Sequence, residues 1–197
     1  MGKATFKMVI LCVFVLLWCG FSSSFALTDE EKKLSEATEA YCSQTAKEKA
    51  TIDKIKEKVR AGAALIEKEG KASFGKFKGN GSEFIFCGTY IWINDIDGNM
   101  LMHPIKPGLE NKSQLGLKDA NGYKLFVDLV DLARKKDEGW IKYVWPKPGT
   151  KENEDKYSFF KKVKMEGNDV LVCAGIYASQ AGSDDVKAIQ QEIVAQK

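Results

Sequence analysis

The chain has 197 residues, 44% of them hydrophobic, and a formal net charge of +3. That is enough apolar material for one globular domain with its own core. So balanced a charge argues against a nucleic-acid binder, which carries a strong basic excess, and against an acidic disordered tail.

At the N-terminus, Lys3 and Lys7 make a basic start, Met8 to Trp18 is an unbroken apolar run of 11 residues, and Ser24-Phe25-Ala26 places small residues where a signal peptidase reads. A membrane-spanning helix needs about 20 apolar residues. Residues 1–26 therefore read as a signal peptide cleaved after Ala26, leaving 27–197 as one exported domain, periplasmic or secreted. Two alternatives stand: retention of the segment as an anchor, and a lipoprotein signal acylated at Cys19, which the bulky Trp18 disfavours. Of five cysteines, Cys12 and Cys19 lie in the signal, and Cys42, Cys87 and Cys173 remain. No CxxC occurs, so a zinc ribbon, a redox pair and covalent haem attachment lack support. Cys87 and Cys173, on separate predicted strands, are candidates for a disulfide in an oxidising compartment, with three buried free thiols as the equal alternative.

From Thr28 to Lys71 the pattern is helical. Thr28-Asp29-Glu30-Glu31 looks like a capped, acid-rich start, and Leu34, Ala37 and Tyr41, then Ile52, Ile55, Val59, Gly62 and Ile66, keep a three-four spacing. The stripe lapses at Gln44 and Glu48, which predicts one long helix with a kink or two helices in line. Gly70 to Ser82 reads as a loop, and Phe84 to Asn94, aromatic and β-branched, as a strand. Asp95-Ile96-Asp97-Gly98-Asn99 is a turn. It is not an EF-hand calcium loop, because position twelve counted from Asp95 is Lys106 rather than glutamate. Met100 to His103 returns as a strand. A long connection from Pro104 to Asn121 leads to a helix over 122–136, a strand over 139–145, a hairpin of 157–165 with 169–177 turning at Glu166-Gly167-Asn168, and a closing helix over 182–196. Antiparallel strands with helices to one side make an α+β domain: a long N-terminal helix on a central sheet of about five strands, with a short C-terminal helix.

The stretch Gly88-Thr-Tyr-Ile-Trp-Ile-Asn-Asp-Ile-Asp-Gly-Asn-Met-Leu-Met-His-Pro104 resembles the core signature of single Cache domains, in which a strand runs into an Asp-x-Asp-Gly turn and ends in His-Pro. Leu117-Lys-Asp-Ala-Asn-Gly122, Gly139-Trp-Ile-Lys-Tyr-Val-Trp-Pro146 and Gly175-Ile-Tyr177 resemble three further motifs of that family, in the expected order over residues 30 to 180. The resemblance implies a PAS-like fold with a small-molecule pocket, an extracytoplasmic location and a sensor role, with small carboxylates among the family's ligands. The sequence given shows no second span or signalling domain, so the expectation is a free-standing exported binding protein that presents its ligand to a membrane receptor or transporter.

The candidate ligand-binding residues follow from strand period two. Tyr90, Trp92 and Asn94 share one face of the first strand, with Cys87, Ile91 and Ile93 turned towards the helix. His103, the sole histidine, stands at the mouth of the long loop, where an imidazole donor suits a carboxylate; a structural histidine bonded to the loop backbone is the alternative. Trp140, Tyr143 and Trp145 lie on the next strand, Tyr143 and Trp145 on one face and Trp140 on the other, with either face able to meet the pocket. Tyr157 and Lys161 offer a hydroxyl and a charge from the strand after. Each aromatic reads equally as plain core, and Lys161 as a solvated lysine. One histidine without a thiol or acid motif gives no metal site, and no cofactor is expected. No nucleophile elbow, phosphate loop or dinucleotide fingerprint appears, so the chain does not read as an enzyme. A second functional reading is an interaction module whose N-terminal helix makes a homodimer or partner surface, with a vestigial pocket.

Overall fold

The computed structural model describes residues 26–150 and 152–196; apart from Ala26, the signal-peptide segment lies outside them. Helix α1 (Asp29–Thr45) opens with a capping box. Thr28 Oγ1 accepts from Glu31 N–H at 3.2 Å, and Glu31 Oε2 accepts from Thr28 N–H at 2.8 Å. The helix stops where the apolar stripe lapses, and a new N-cap, Thr51, starts α2 (Ile52–Glu69). The expected long helix is thus two helices with different duties. Ile55, Val59, Ala63 and Ile66 of α2 bury against one face of the sheet, whereas α1 puts Cys42 into the cluster on the other face. The break between them lets the chain cross from one side of the sheet to the other.

The loop expected after α2 begins with 3-10 turns over Gly70–Phe77. The expected single strand over 84–94 is a hairpin, β1 (Ile85–Phe86) and β2 (Thr89–Asp95), with Phe86 opposite Thr89. Its two turn residues both have positive φ, 48° at Cys87 and 68° at Gly88, the requirement of a type I′ turn. Gly88 is also needed for space, since a Cβ there would meet Ala46 Cβ at 2.8 Å. Strand β3 (Met100–Met102), helix α3 (Leu125–Lys135), β4 (Glu138–Pro146), β5 (Asn153–Met165), β6 (Asn168–Tyr177) and α4 (Ser183–Ala195) complete the chain. The sheet is antiparallel in the order β1-β2-β6-β5-β4, with β3 also on β2.

Both faces of this sheet are covered. One face, carrying Ile91, Ile93, Trp140, Tyr157, Phe159, Val172 and Ile176, packs under α2 and receives Ile189 of α4. The other carries Tyr90, Trp92, Tyr143, Trp145, Phe160, Cys173 and Tyr177 and packs under α3 and part of α1. Period two keeps the faces apart, and this decides the disulfide question. Cys87 lies on the α2 side, against Glu48 and Lys49. Cys173 pairs with Trp92 and Phe160 on the opposite side. Cys42, Cys87 and Cys173 are all free and buried.

Candidate functional site

The sheet face under α3 holds a small cavity lined by Tyr90 and Trp92 of β2, Met100 of β3, His103, Leu125 and Phe126 of α3, and Tyr143 and Trp145 of β4. It holds about 10 Å³ of free space, room for about one water molecule. Tyr90 also borders an outer vestibule of about 260 Å³, formed by Glu39, Ile105, Lys106, Pro146, Lys147, Pro148 and Thr150. The Trp145 Nε1–H donates to Tyr90 Oη at 3.1 Å, and this bond ties together two side chains of the cavity wall.

Five of the nine side chains expected at the site therefore meet: Tyr90, Trp92, His103, Tyr143 and Trp145. Asn94 lies on the same face but is spent elsewhere. It is fully buried, its Nδ2 donates to Asp95 O at 3.0 Å, and its Oδ1 faces Cys173 Sγ. The other three are not at this cavity. Trp140 is one residue out of phase with Tyr143 and Trp145 and packs on Phe159 at 5.2 Å between ring centroids. Tyr157 faces the same way, with Gln190 Nε2 donating to its hydroxyl at 3.1 Å. Lys161 stands half-buried on that side with Glu138 3.8 Å away.

His103 is held by the loop that follows it. Its Nδ1 accepts from the backbone N–H groups of Lys106 at 2.9 Å and Ile105 at 3.3 Å. Its own N–H donates to Glu110 Oε1 at 2.7 Å, which also takes Lys78 Nζ at 2.7 Å. With Nδ1 an acceptor twice over, the ring proton sits on Nε2 and serves as a donor. Burial, then the positive charges of Lys156, Lys106 and Lys78, hold the imidazole pKa well below its ordinary value. His103 is therefore a neutral donor, and its basic nitrogen is not free to act as a general base.

Sequence reasoning missed Lys156. It lies on the face of β5 that continues through Ser158 and Phe160, opposite Tyr143 on β4 and Tyr177 on β6. Its side chain is fully buried. Its Nζ lies 4.3 Å, 4.7 Å and 5.2 Å from the ring centroids of Tyr90, Tyr177 and Trp92. It has no hydrogen-bond partner. Burial pushes its pKa down to about 7, with Lys106 adding to the effect and the thiols of Cys42 and Cys173 opposing it. The space for its stem comes from Gly175, where a Cβ would meet Lys156 Cε at 2.7 Å and also strike Ser158 Oγ. Trp92 Nε1 is a second buried donor without a partner. Lys106 lays its ammonium over Trp145, 4.6 Å from the centroid. The signal for Lys156 was strand phase. Extending the 157–165 strand back by one residue puts Lys156 in register with Ser158, but a polar residue does not announce its own burial.

The chemistry of the site is thus dominated by donors, with Lys156 Nζ and Trp92 Nε1 both lacking a hydrogen-bond partner. Trp92 and His103 belong to the cavity wall, and the Lys156 amine stands beside that wall, against the rings of Tyr90 and Trp92. Such a site suits a small acceptor-rich anion whose remainder is apolar.

Residues 80–196 match the Cache domain family. The methyl-accepting chemotaxis protein McpP of Pseudomonas putida is 37% identical over 99 residues, covering 50% of this chain and 17% of that protein. The sensor histidine kinase MctS of Rhizobium johnstonii is 33% identical over 88 residues, covering 45% of this chain and 18% of that protein. The matched stretch is thus less than a fifth of either relative's length. Among solved structures, a methyl-accepting chemotaxis protein from Vibrio parahaemolyticus shares the fold with a TM-score of 0.52 at 24% identity, over 64% of this chain and 86% of that one. With more than half its length matched, and the sheet and cavity built from the matched stretch, the chain belongs to the Cache domain family.

Proposed function

We propose that this protein is an exported Cache sensor domain that binds a small monocarboxylate in the cavity under α3 and passes the liganded state to a membrane receptor or transporter. The observation that carries the reading is Lys156, a buried amine enclosed by three aromatic rings with no acceptor in reach. Leaving a buried donor unpaired costs about 1–3 kcal/mol, and a carboxylate placed there removes that cost. The His103 Nε2–H and Trp92 Nε1–H add donors, and Leu125, Phe126 and Met100 accept a short apolar tail. The cavity has room for about one water, so even an acid of few heavy atoms requires its wall to move apart, and the Trp145–Tyr90 bond is part of that wall. Export rests on the N-terminal sequence pattern; among the described residues no helix is long and apolar enough to cross a membrane.

The reading as an interaction module has less support. Among the described residues, α1 exposes one large hydrophobic side chain, Leu34, too little for a stable seam. Titration calorimetry with acetate, propionate and pyruvate, beside the corresponding amides, tests the proposal. Saturable 1:1 binding of an acid and none of its amide is expected. Heats absent for every acid, with a monomer–dimer equilibrium through α1 seen in sedimentation, would replace it by the interaction reading.

A further inference from the structure

We infer that ligand binding at this site takes up one proton, on Lys156 Nζ, so that the domain reads carboxylate concentration and pH together. The inference rests on the carboxylate reading above. Its geometric basis is the set of groups around the amine. From α1 come Cys42 and, further out at the vestibule, Glu39; from β2, Tyr90; from the loop after β3, His103 and Lys106; from β4, Tyr143; from β6, Cys173 and Tyr177. Burial raises the pKa of both thiols and all three phenols, and lowers that of His103, so these groups are uncharged near neutral pH. Lys106 repels a second cation, and Glu39 stands outside the inner cavity.

An ammonium at this buried position has neither an acceptor nor a counter-charge within reach, so desolvation favours the neutral amine. The release falls at a pH of about 7. A bound carboxylate supplies both missing features and restores the cation. The amine, a solvent proton and the carboxylate anion become an ammonium–carboxylate pair, and charge balances. His103 cannot be the acceptor of that proton without breaking the turn its Nδ1 holds through Ile105 and Lys106.

Above the release point, affinity falls about tenfold per pH unit, because the proton must be drawn from an ever more dilute supply. Calorimetry of propionate with the purified protein at pH 6, 8 and 9, in phosphate and in Tris, reads this directly through the different ionisation enthalpies of the buffers. Uptake close to one proton per ligand is expected at pH 8 and little at pH 6, with affinity about tenfold weaker at pH 9 than at pH 8. A ¹³Cε resonance missing in Lys156→Gln should move from the amine to the ammonium position on saturation at pH 8. Binding with no proton exchange at pH 8 and an affinity flat to pH 9 would overturn the inference and leave carboxylate binding standing. Uptake that persists in Lys156→Gln would overturn it too, by placing the proton elsewhere. Failure of acetate, propionate and pyruvate to bind at any of the three pH values would instead strike the carboxylate reading itself.

Discussion

Two residues bear the cost of the site. In the unfolded chain a lysine keeps its proton to about pH 10.4, whereas Lys156 in the fold releases it at about 7. Between those values the unfolded state holds more protons, so this residue's contribution to stability rises with pH, by at most about 1.4 kcal/mol per unit, and is lost as the pH falls towards 7. Lys156→Met fills the same space without a charge. It should stabilise the fold at pH 7, since an unpaired buried donor is removed, lose the stability slope between pH 7 and 9, and bind no carboxylate. Denaturant melts at the two pH values check this; an unchanged slope would show that Lys156 is in contact with water. Gly175 is the complement. Gly175→Ala sets a methyl against Lys156 Cε and Ser158 Oγ, an overpacking that costs about 1–3 kcal/mol, and it should weaken propionate binding at least tenfold while the fold persists. Unaltered affinity would mean that the stem of Lys156 has another path.

At the scale of elements, most of the fold was legible in the sequence because burial there is written in apolar periodicity. The capped start at Thr28, the lapse at Gln44 and Glu48, the Glu166-Gly167 turn and the helix expected over 122–136 each correspond to an observed feature. The errors share a cause, which is that local patterns do not state phase across neighbouring strands. Cys87 looked like mid-strand until the two positive-φ residues showed a turn. Trp140 and Tyr157 are as aromatic as Tyr143 and Trp145, and only the folded sheet shows which of the two faces lines the cavity. The long connection after β3 was legible in the sequence, but its anchor was not. Asp119 Oδ1 accepts from Asn121 and Tyr123 N–H, and its Oδ2 accepts from Val144 N–H on β4, each at 2.9 Å. Burial opposes its ionisation, but the three backbone N–H groups outweigh burial and lower its pKa. The tie is therefore present at neutral pH and lost as the pH falls through that lowered value. Asp119→Ala should cost about 0.5–1.5 kcal/mol per lost bond, raise amide exchange over residues 117–126, and speed ligand release by loosening Leu125 and Phe126 over the cavity. Exchange there equal to wild type would show that packing of α3 alone holds the loop.

The whole molecule is larger than the stretch that marks its family. The match begins at residue 80, yet one face of the sheet built from that stretch is covered by α2, at residues 52–69, and the pocket face receives Cys42 from α1. Removing everything before residue 80 would strip Ile55, Val59, Ala63, Ile66 and Phe77 from the face that carries Ile91, Phe159, Val172 and Ile176. Each large aliphatic or aromatic side chain buried is worth about 1.5–3 kcal/mol, so four of them amount to roughly 6–12 kcal/mol, against a total stability of about 5–15 kcal/mol for a domain of this kind. The loss is comparable with the whole margin, and the newly bared surface is a flat apolar sheet face. A fragment of residues 80–196 should therefore show no cooperative thermal transition and should aggregate, while residues 27–196 melt in one step. A fragment that melts cooperatively and binds propionate would mean that the two N-terminal helices are accessory to a sheet able to stand alone. Its failure, with the longer chain intact, would fix the folding unit as both helices together with the matched domain, and would make α2 as much a part of the sensor as the strand that carries Lys156.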